Sequence, residues 1–169
     1  FLNSNTDQAK SILEISASNP NKSATLQGTF LNDTITGSNK NDKIYTNGGK
    51  DDITAGKGND VIYIDGGDDP DHKARVTLNL KKGDGVDTVY LKNPENIKLV
   101  SLKMDTNDGT VQFGYEQSTN GKDLILNYSY DKGETVDKVI VKDFFKLDSK
   151  LREKLFEVIC MVTKTKQTN

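Results

Sequence analysis

The sequence of 169 residues has little of what usually holds a small protein together. It contains one cysteine, Cys160, so no disulfide can form within the chain. It has no tryptophan, and hydrophobic residues make up only 33% of it, which predicts a thin apolar core. No apolar stretch is long enough to span a membrane, and no signal peptide is recognisable. Because the chain begins with Phe1 rather than methionine, we expect it to be a fragment of a longer protein.

Signals of catalysis and of nucleic-acid binding are also missing. No phosphate-binding loop, nucleophile elbow or zinc-protease motif occurs. His72 is the one histidine, and it has no serine or cysteine partner at a motif spacing. We therefore expect no enzymatic activity in the chain itself. The net charge of −2, without a basic stripe that includes aromatic residues, argues against nucleic acid as a partner.

A regular spacing of aspartates is the strongest positive signal. Four aspartates lie at intervals of nine residues, and an isoleucine follows each of them two places later. A period this regular predicts a repeat architecture, in which each repeat forms the same small unit. The aspartates are Asp33, Asp42, Asp51 and Asp60, and the isoleucines are Ile35, Ile44, Ile53 and Ile62.

This period suits a flattened roll of short parallel strands. Six residues make a turn, three make a strand whose apolar residue points inward, and two such units complete one coil. Repeats two apart in the sequence therefore stack, and the aspartates separate onto two edges of the roll. The edge that we expect to be longer holds Asp33, Asp51, Asp69 and Asp87. The other edge holds Asp42 and Asp60, in register with Ala24 and Leu78.

Stacked carboxylates point to a metal ion. At the strand spacing of about 4.8 Å they would repel one another unless a cation lay between them. Hard oxygen ligands in a flexible shell of about 6–8 favour Ca²⁺ over Mg²⁺, and the lack of clustered nitrogen or sulfur donors disfavours zinc. We predict three to four calcium ions, with Asp33–Asp51, Asp51–Asp69, Asp42–Asp60 and, as the fourth, Asp69–Asp87 as the pairs. The glycines expected to turn carbonyls toward the ions are Gly49, Gly56, Gly58 and Gly67.

The segments resemble the nonapeptide repeat of RTX proteins, G-G-x-G-x-D-x-U-x, in which U is a large apolar residue. The best match is A-G-K-G-N-D-V-I-Y from Ala55, and the weakest is G-T-F-L-N-D-T-I-T from Gly28. The resemblance covers about residues 28–69. It implies an all-β fold in which a right-handed parallel β-roll binds Ca²⁺ between N- and C-terminal capping segments.

The same resemblance implies a role outside the cell. RTX proteins leave the cell through type I secretion machinery in an unfolded, calcium-free form, and they fold outside, where calcium is millimolar. We therefore expect a secreted, extracellular calcium-binding module of a bacterial toxin or adhesin, with a host-cell surface or a glycan as a further partner. The alternative is the C-terminal part of a secreted hydrolase or epimerase, or a toxic activity carried by residues 93–169.

Three regions are expected along the chain. They are an N-terminal cap over residues 1–27, the calcium-binding roll over residues 28–91 and a β-rich C-terminal cap over residues 92–169. In the first region the pattern allows either a short helix over residues 8–13 or a strand over residues 12–16. Leu26 lies in phase with the repeat and predicts a first rung without metal.

The phase is expected to continue beyond the fourth repeat. Asp69 keeps the aspartate position, but Pro70 cannot donate to a ladder and Asp71 stands where an apolar residue belongs. A modified calcium turn and an ordinary acidic turn are both open there. Leu80 follows Ile62 by 18 residues and is predicted to stack on it, and residues 83–89 restore the motif.

The C-terminal region changes character. Alternating patterns predict strands over residues 97–104, 111–115 and 124–128, and the turns at residues 105–109 and 119–123 favour hairpins. Residues 121–145 are similar to the segment that follows the repeats in many RTX proteins, which implies a cap on the roll. Residues 148–163 fit a short helix capped by Asp148 or Ser149, while the β-branched pair Val158 and Ile159 leaves a strand open.

Overall fold

The structure of the protein is a computed structural model, which describes residues 12–105, 110–130 and 136–161. Within those ranges the chain forms thirteen β-strands and one α-helix. The strands are β1 (Ile12–Ser16), β2 (Thr25–Gln27), β3 (Asn32–Thr36), β4 (Lys43–Tyr45), β5 (Lys50–Thr54), β6 (Val61–Asp65), β7 (Ala74–Leu80), β8 (Val86–Lys92), β9 (Ile97–Asp105), β10 (Val111–Gln117), β11 (Leu124–Tyr130), β12 (Val136–Val141) and β13 (Phe156–Met161). The helix is α1 (Ser149–Leu155), and short 3₁₀ helices cover Pro94–Asn96 and Phe144–Lys146. In the described part of the chain, no helix has the length and apolar character needed to cross a membrane.

Consecutive strands of the N-terminal half alternate between two sheets. One sheet has the order β1-β3-β5-β7-β9-β13 and is parallel throughout. The other has the order β10-β11-β12-β8-β6-β4-β2 and is parallel from β2 to β12. Strands two apart in the sequence therefore stack as successive rungs. This arrangement confirms the predicted all-β fold built on a parallel β-roll.

The isoleucines of the nine-residue period form the centre of the core. Ile35 lies opposite Ile53 in one sheet, and Ile44 lies opposite Ile62 in the other. All four are at most 2% exposed, and burying a side chain of this size contributes about 1.5–3 kcal/mol. Leu26 pairs with Ile44, so the predicted first rung is confirmed. The sequence period thus directly sets the register of the first rungs.

The eighteen-residue stacking ends after β6. Ile62 pairs with Val89 rather than with Leu80, so the predicted stacking of Leu80 on Ile62 is wrong. Leu80 pairs instead with Met104 in the opposite sheet. In the same sheet as Leu80, Leu78 lies on Ile53 and so does not lie in register with the edge of Asp60.

A longer loop between β6 and β7 causes this shift. Pro70 has no N–H for a ladder, and the charged Asp71 cannot fill an inward apolar position. Residues 66–73 therefore form a loop, and the next strand begins only at Ala74. Every later strand is displaced relative to the simple period.

The alternatives left open at the two ends of the sequence have clear outcomes. β1 confirms the strand over residues 12–16, whereas residues 8–11 of the alternative helix lie outside the described residues. Near the C-terminus both alternatives occur in turn. Asp148 caps α1 by accepting a hydrogen bond of 2.9 Å from the backbone N–H of Lys150, and β13 follows directly.

One of the two predicted hairpins is confirmed. β10 and β11 pair antiparallel around the predicted turn at residues 119–123. The other prediction is wrong, because β9 and β10 lie in different sheets. Most of its turn, residues 106–109, lies outside the described residues. β9 buries Val100, Leu102 and Met104 and runs parallel between β7 and β13, which explains why it is not paired locally.

Candidate metal centre

The shorter edge of the roll brings together two aspartates. Asp33 and Asp51 are each 1% exposed, although aspartate normally prefers water. The backbone N–H of Asp33 donates to Oδ1 of Asp51 at 3.0 Å. The backbone N–H of Thr29 donates to Oδ2 of Asp33 at 2.6 Å, so the preceding turn folds back onto the carboxylate. The structure therefore places these two carboxylates in consecutive rungs, as the spacing predicts.

The longer edge carries three aspartates in line. The backbone N–H of Asp42 donates to Oδ1 of Asp60 at 2.7 Å, and that of Asp60 donates to Oδ1 of Asp87 at 3.0 Å. Ala24 begins the series by donating its N–H to Oδ1 of Asp42 at 2.6 Å. All three aspartates are at most 2% exposed. The prediction that the edge of Asp33 is the longer one is therefore wrong.

Asp69 lies on neither edge. Its side chain is 58% exposed and forms an ion pair of 2.6 Å with Nδ1 of His72. The predicted pairs of Asp69 with Asp51 and with Asp87 are wrong, because residue 69 falls in the loop that interrupts the period. Gly67 lies in the same loop, with a φ of 73° but no atom within 4 Å of where a Cβ would stand. This segment is the acidic turn that the sequence left open as the alternative.

Some oxygens on the two edges lack any partner. Oδ2 of Asp51 and Oδ2 of Asp60 are buried and accept no hydrogen bond. Burial, with a smaller contribution from the charge of the neighbouring aspartate on each edge, raises the pKa of Asp51 to about 8 and that of Asp60 to about 7. Burial also raises the pKa of Asp87 to about 8. A buried carboxylate without a partner destabilises the folded state. A proton or a cation bound to Oδ2 of Asp51 and of Asp60 would remove that cost in free energy.

Backbone carbonyl groups crowd the same turns. A Cβ at Gly49 would lie 1.8 Å from the carbonyl oxygen of Leu31, and one at Gly56 would lie 2.0 Å from that of Ser38. Gly58 also lies against the rung below it. Three of the four predicted turn glycines therefore allow one turn to lie directly on the carbonyl oxygens of its neighbour.

This oxygen-rich arrangement fits calcium. Among residues 12–105, 110–130 and 136–161, no group of three or more His, Cys, Asp or Glu side chains is arranged to hold a metal ion. A site must therefore combine two aspartates with turn carbonyls and water, which suits the flexible oxygen shell of Ca²⁺ and not the nitrogen and sulfur set of zinc. Asp33 and Asp51 would hold one ion, and Asp42 and Asp60 would hold another.

The sequence analysis missed two buried aspartates and a tyrosine. Asp84 is 5% exposed, Asp137 is 1% exposed and Tyr128 is 1% exposed. Asp84 lies between two glycines in the restored motif, so its position already carried a signal. In β12 the residue types alternate, and Asp137 falls on the same face as the buried Val139. An acidic residue in an inward position was the signal for that site.

Comparison with known proteins agrees with this geometry. Residues 27–62 match the family model of the RTX calcium-binding nonapeptide repeat, which describes four copies. The matched range contains both the Asp33–Asp51 and the Asp42–Asp60 pairs. No curated protein matches the chain. Residues 27–62 are therefore RTX nonapeptide repeats, and the chain carries a calcium-binding RTX module.

Proposed function

We propose that this chain is the calcium-responsive folding and binding module of a bacterial toxin or adhesin that leaves the cell by type I secretion. The observation that carries the proposal is the pair of unpartnered, buried carboxylate oxygens on Asp51 and Asp60. In the described residues no ion pair reaches either of them. A cation from the surroundings therefore completes the fold.

Calcium acts here as a folding switch. Without it, stacked carboxylates repel one another, and a narrow core offsets little of the chain entropy lost on folding. Each bound ion adds RT ln(1 + [Ca²⁺]/Kd) to the free energy of unfolding, which is about 2.7 kcal/mol when calcium is present at about 100 times Kd. Because each rung contacts only its neighbours, loss of one site weakens the adjacent rungs as well.

The chemistry of the sites supports an extracellular location. Two carboxylates per ion is a low ligand charge, and calcium modules of this kind outside cells bind in the range of about 10⁻⁴–10⁻³ M. Such sites stay empty in a cytosol and fill outside it. The module therefore remains unfolded during export and folds on arrival, where it presents its surface to a host cell or a glycan.

We also propose that the module is not itself an enzyme. His72 sits in an exposed loop and its ring contacts Asp69, which raises the pKa of the imidazole through a hydrogen bond and holds it as an ion-pair partner. The buried acids are accounted for by the stacked rungs. Any catalytic activity of a longer parent protein would then reside in another domain.

Isothermal calorimetry with a matched pair of variants tests the calcium sites. Asp51 and Asp52 are adjacent, but the first is buried on the edge and the second is exposed. We expect Asp51→Asn to bind at least one calcium ion fewer than the wild type and Asp52→Asn to bind the full number. Equal calcium binding by all three proteins would contradict the proposed sites.

A cell-binding assay tests the proposed adhesin or toxin role. Fluorescently labelled protein is incubated with host cells and with a glycan array, in calcium and in chelator. We expect binding in calcium, loss of binding in chelator and weaker binding by Asp51→Asn than by Asp52→Asn. Calcium-independent binding, or none to any surface, would overturn this part of the proposal.

A further inference from the structure

The strand β10 leaves one edge of its sheet open. It is the first strand in the order β10-β11-β12-β8-β6-β4-β2, so only β11 pairs with it among the described residues. The pairing runs through seven consecutive residue pairs without a register shift, from Val111 opposite Tyr130 to Gln117 opposite Leu124. The backbone N–H and C=O groups on the far side of β10 therefore form a regular row that no described strand pairs with.

β10 lacks the features that usually protect an exposed edge. Proteins discourage the addition of a strand there with lysine, proline, a bulge or a very short edge strand. The sequence of β10 is V-Q-F-G-Y-E-Q, so Glu116 is its one charged residue, and it contains no proline. The other sheet ends with β1, which has Glu14 at its centre. A twofold pairing of the whole of β1 with a second copy would set Glu14 opposite Glu14, and like charges in that position are destabilising.

Two aromatic side chains on β10 extend the apolar face of the sheet beyond the core. Phe113 lies opposite Tyr128, and Tyr115 lies opposite Leu126, so these four side chains are on one face. Tyr128 and Leu126 are buried, but Tyr115 is 77% exposed and Phe113 is 37% exposed. The described chain therefore covers this face at β11 and leaves it open to solvent at β10.

The order of residues along β10 is complementary to itself. In an antiparallel pair of two copies centred on Gly114, Phe113 faces Tyr115 of the second copy, and Tyr115 faces Phe113 of the second copy. Aromatic residues directly opposite each other stabilise an antiparallel pair. Gln112 then faces Glu116 of the second copy, so each carboxylate meets an amide donor rather than another acid. This register pairs all seven residues of the strand and sets no like charges against each other.

The area available sets the strength of such a contact. Because an aromatic side chain buries about 150–250 Å², covering the exposed parts of Phe113 and Tyr115 removes about 200 Å² per copy from water. Even with the backbone of one strand added, the interface stays below the roughly 1,200 Å² at which stable interfaces begin. The main-chain hydrogen bonds of an added strand supply the rest of the affinity. These terms together fit a weak association that depends on protein concentration.

We propose that two copies of this chain associate through β10, in an antiparallel pair with twofold symmetry that continues the seven-stranded sheet of one copy into that of the other. The same residues face one another from both sides of such an interface, so the assembly closes at two copies. The strand lies outside residues 27–62, which match the repeat model. The inference goes beyond the proposed function, because it involves neither the calcium sites nor a ligand on a host cell.

Cysteine cross-linking in saturating calcium tests the register of the pair. Cys160, the one native cysteine, is first replaced by serine. Gly114→Cys should then form a disulfide-linked dimer on mild oxidation, because directly opposite residues have Cα atoms about 4.5–5.5 Å apart. A Cβ at Gly114 has no atom within 4 Å, so the strand accommodates the new side chain.

Gln112→Cys is the matched control for this experiment. In the proposed register, residue 112 lies four positions along the strand from residue 112 of the second copy, or about 14 Å, which a disulfide cannot span. We expect a dimer band for Gly114→Cys and its loss for Gln112→Cys on a non-reducing gel. Equal dimer from both variants, or none from either, would overturn the pairing.

Sedimentation velocity in saturating calcium tests the association itself. We expect the wild type to shift from monomer toward dimer as its concentration rises. Tyr115→Lys should stay monomeric, because it sets a charge against Phe113 of the second copy. Ile12→Lys is the control and should dimerise like the wild type, since Ile12 is 65% exposed on β1, the edge strand of the other sheet.

Three results would overturn the proposal. They are a wild type that stays monomeric at high concentration, a species larger than a dimer, and a Tyr115→Lys variant that dimerises as well as Ile12→Lys does. Circular dichroism checks that each variant is folded. If Tyr115→Lys is unfolded, the cross-linking of Gly114→Cys and the behaviour of the wild type decide the question.

Discussion

Asp123, in the turn before β11, is buried like Asp51 and Asp60 of the roll, but of these three only Asp123 has a counter-charge among the described residues. Asp123 is 4% exposed, and Nζ of Lys142 donates to its Oδ2 at 2.5 Å. The hydrogen bond from Lys142 lowers the pKa of Asp123, whereas burial raises the pKa of Asp51 and of Asp60. No lysine or arginine in the described residues pairs with the latter two.

This difference shows where the chain depends on its surroundings. Asp123, in the turn before β11, has a counter-charge within the chain, the ammonium group of Lys142. In the roll, Asp33 stacks with Asp51 and Asp42 stacks with Asp60, and no lysine or arginine of the described residues pairs with Asp51 or Asp60. Under the proposed function, calcium supplies the missing positive charge and so links the folding of the roll to the ion.

Asp60→Ala should lower the stability of the roll more than any other variant considered. The carboxylate of Asp60 accepts the backbone N–H of Asp42, and the backbone N–H of Asp60 donates to Asp87. Removal of the carboxylate leaves the buried N–H of Asp42 without an acceptor and takes away a proposed calcium ligand on the longer edge. We expect the free energy of unfolding in calcium to fall by about 4 kcal/mol. Urea denaturation measures it, with Asp68→Ala at an exposed position as the control. A change equal to that of the control would show that the longer edge does not stabilise the protein.

Gly56→Ala should have the next largest effect. Its φ is 101°, and a Cβ would lie 2.0 Å from the carbonyl oxygen of Ser38, so the substitution adds both backbone strain and a clash. We expect a loss of about 3 kcal/mol in calcium. Gly48→Ala is the matched control, because Gly48 has a φ of 100° and nothing within 4 Å of its Cβ position. It should lose only about 1 kcal/mol, and equal losses would contradict the close stacking of the turns.

Without calcium, the stability of the roll should depend on pH, because its buried aspartates have raised pKa values and Asp123 does not. The pKa of Asp51 and of Asp87 is about 8 in the folded protein and that of Asp60 is about 7, all above the ordinary value of 3.8. The folded state therefore holds protons that the unfolded state has released, so its stability is greatest at low pH and falls as pH rises through about 7–8. In calcium-free buffer we expect the folded fraction, followed by the β-rich circular dichroism signal, to fall from about pH 5 to about pH 8. Saturating calcium should flatten this slope, and a rising slope would contradict the account.

Lys142→Ala should have the smallest effect, and one that calcium does not change. The variant removes the counter-charge of Asp123, but the N–H of Asp143 still donates to that carboxylate at 2.8 Å. We expect the melting temperature to fall by about 2–4 °C. The rise in melting temperature on adding calcium should equal that of the wild type. A smaller rise would show that calcium stabilises the roll less when Asp123 has lost its counter-charge.

The repeat itself could be predicted from the sequence, because one period fixes both strand position and side-chain direction. The four isoleucines and the pairs Asp33–Asp51 and Asp42–Asp60 follow from it directly. The same period was sufficient to predict the fold class. Prediction worked where every repeat has the same length, since register is then simple arithmetic.

The later rungs could not be predicted, because the length of a loop is not periodic. Pro70 and Asp71 indicated that a strand at their position was unfavourable. They did not show that the next strand would start at Ala74 or that Asp87 would stack on Asp60. The burial of Asp137 depends on a pairing between β8 and β12 across about 50 residues, and no local pattern reports such a contact.

A calcium titration followed by circular dichroism, with magnesium as the control ion, tests the central claim most directly. Starting from calcium-free protein at neutral pH, we predict a change from a largely disordered spectrum to a β-rich one at high-micromolar to millimolar calcium, and no such change with magnesium. A β-rich spectrum that is the same in chelator and in calcium would contradict the claim that the roll folds on calcium.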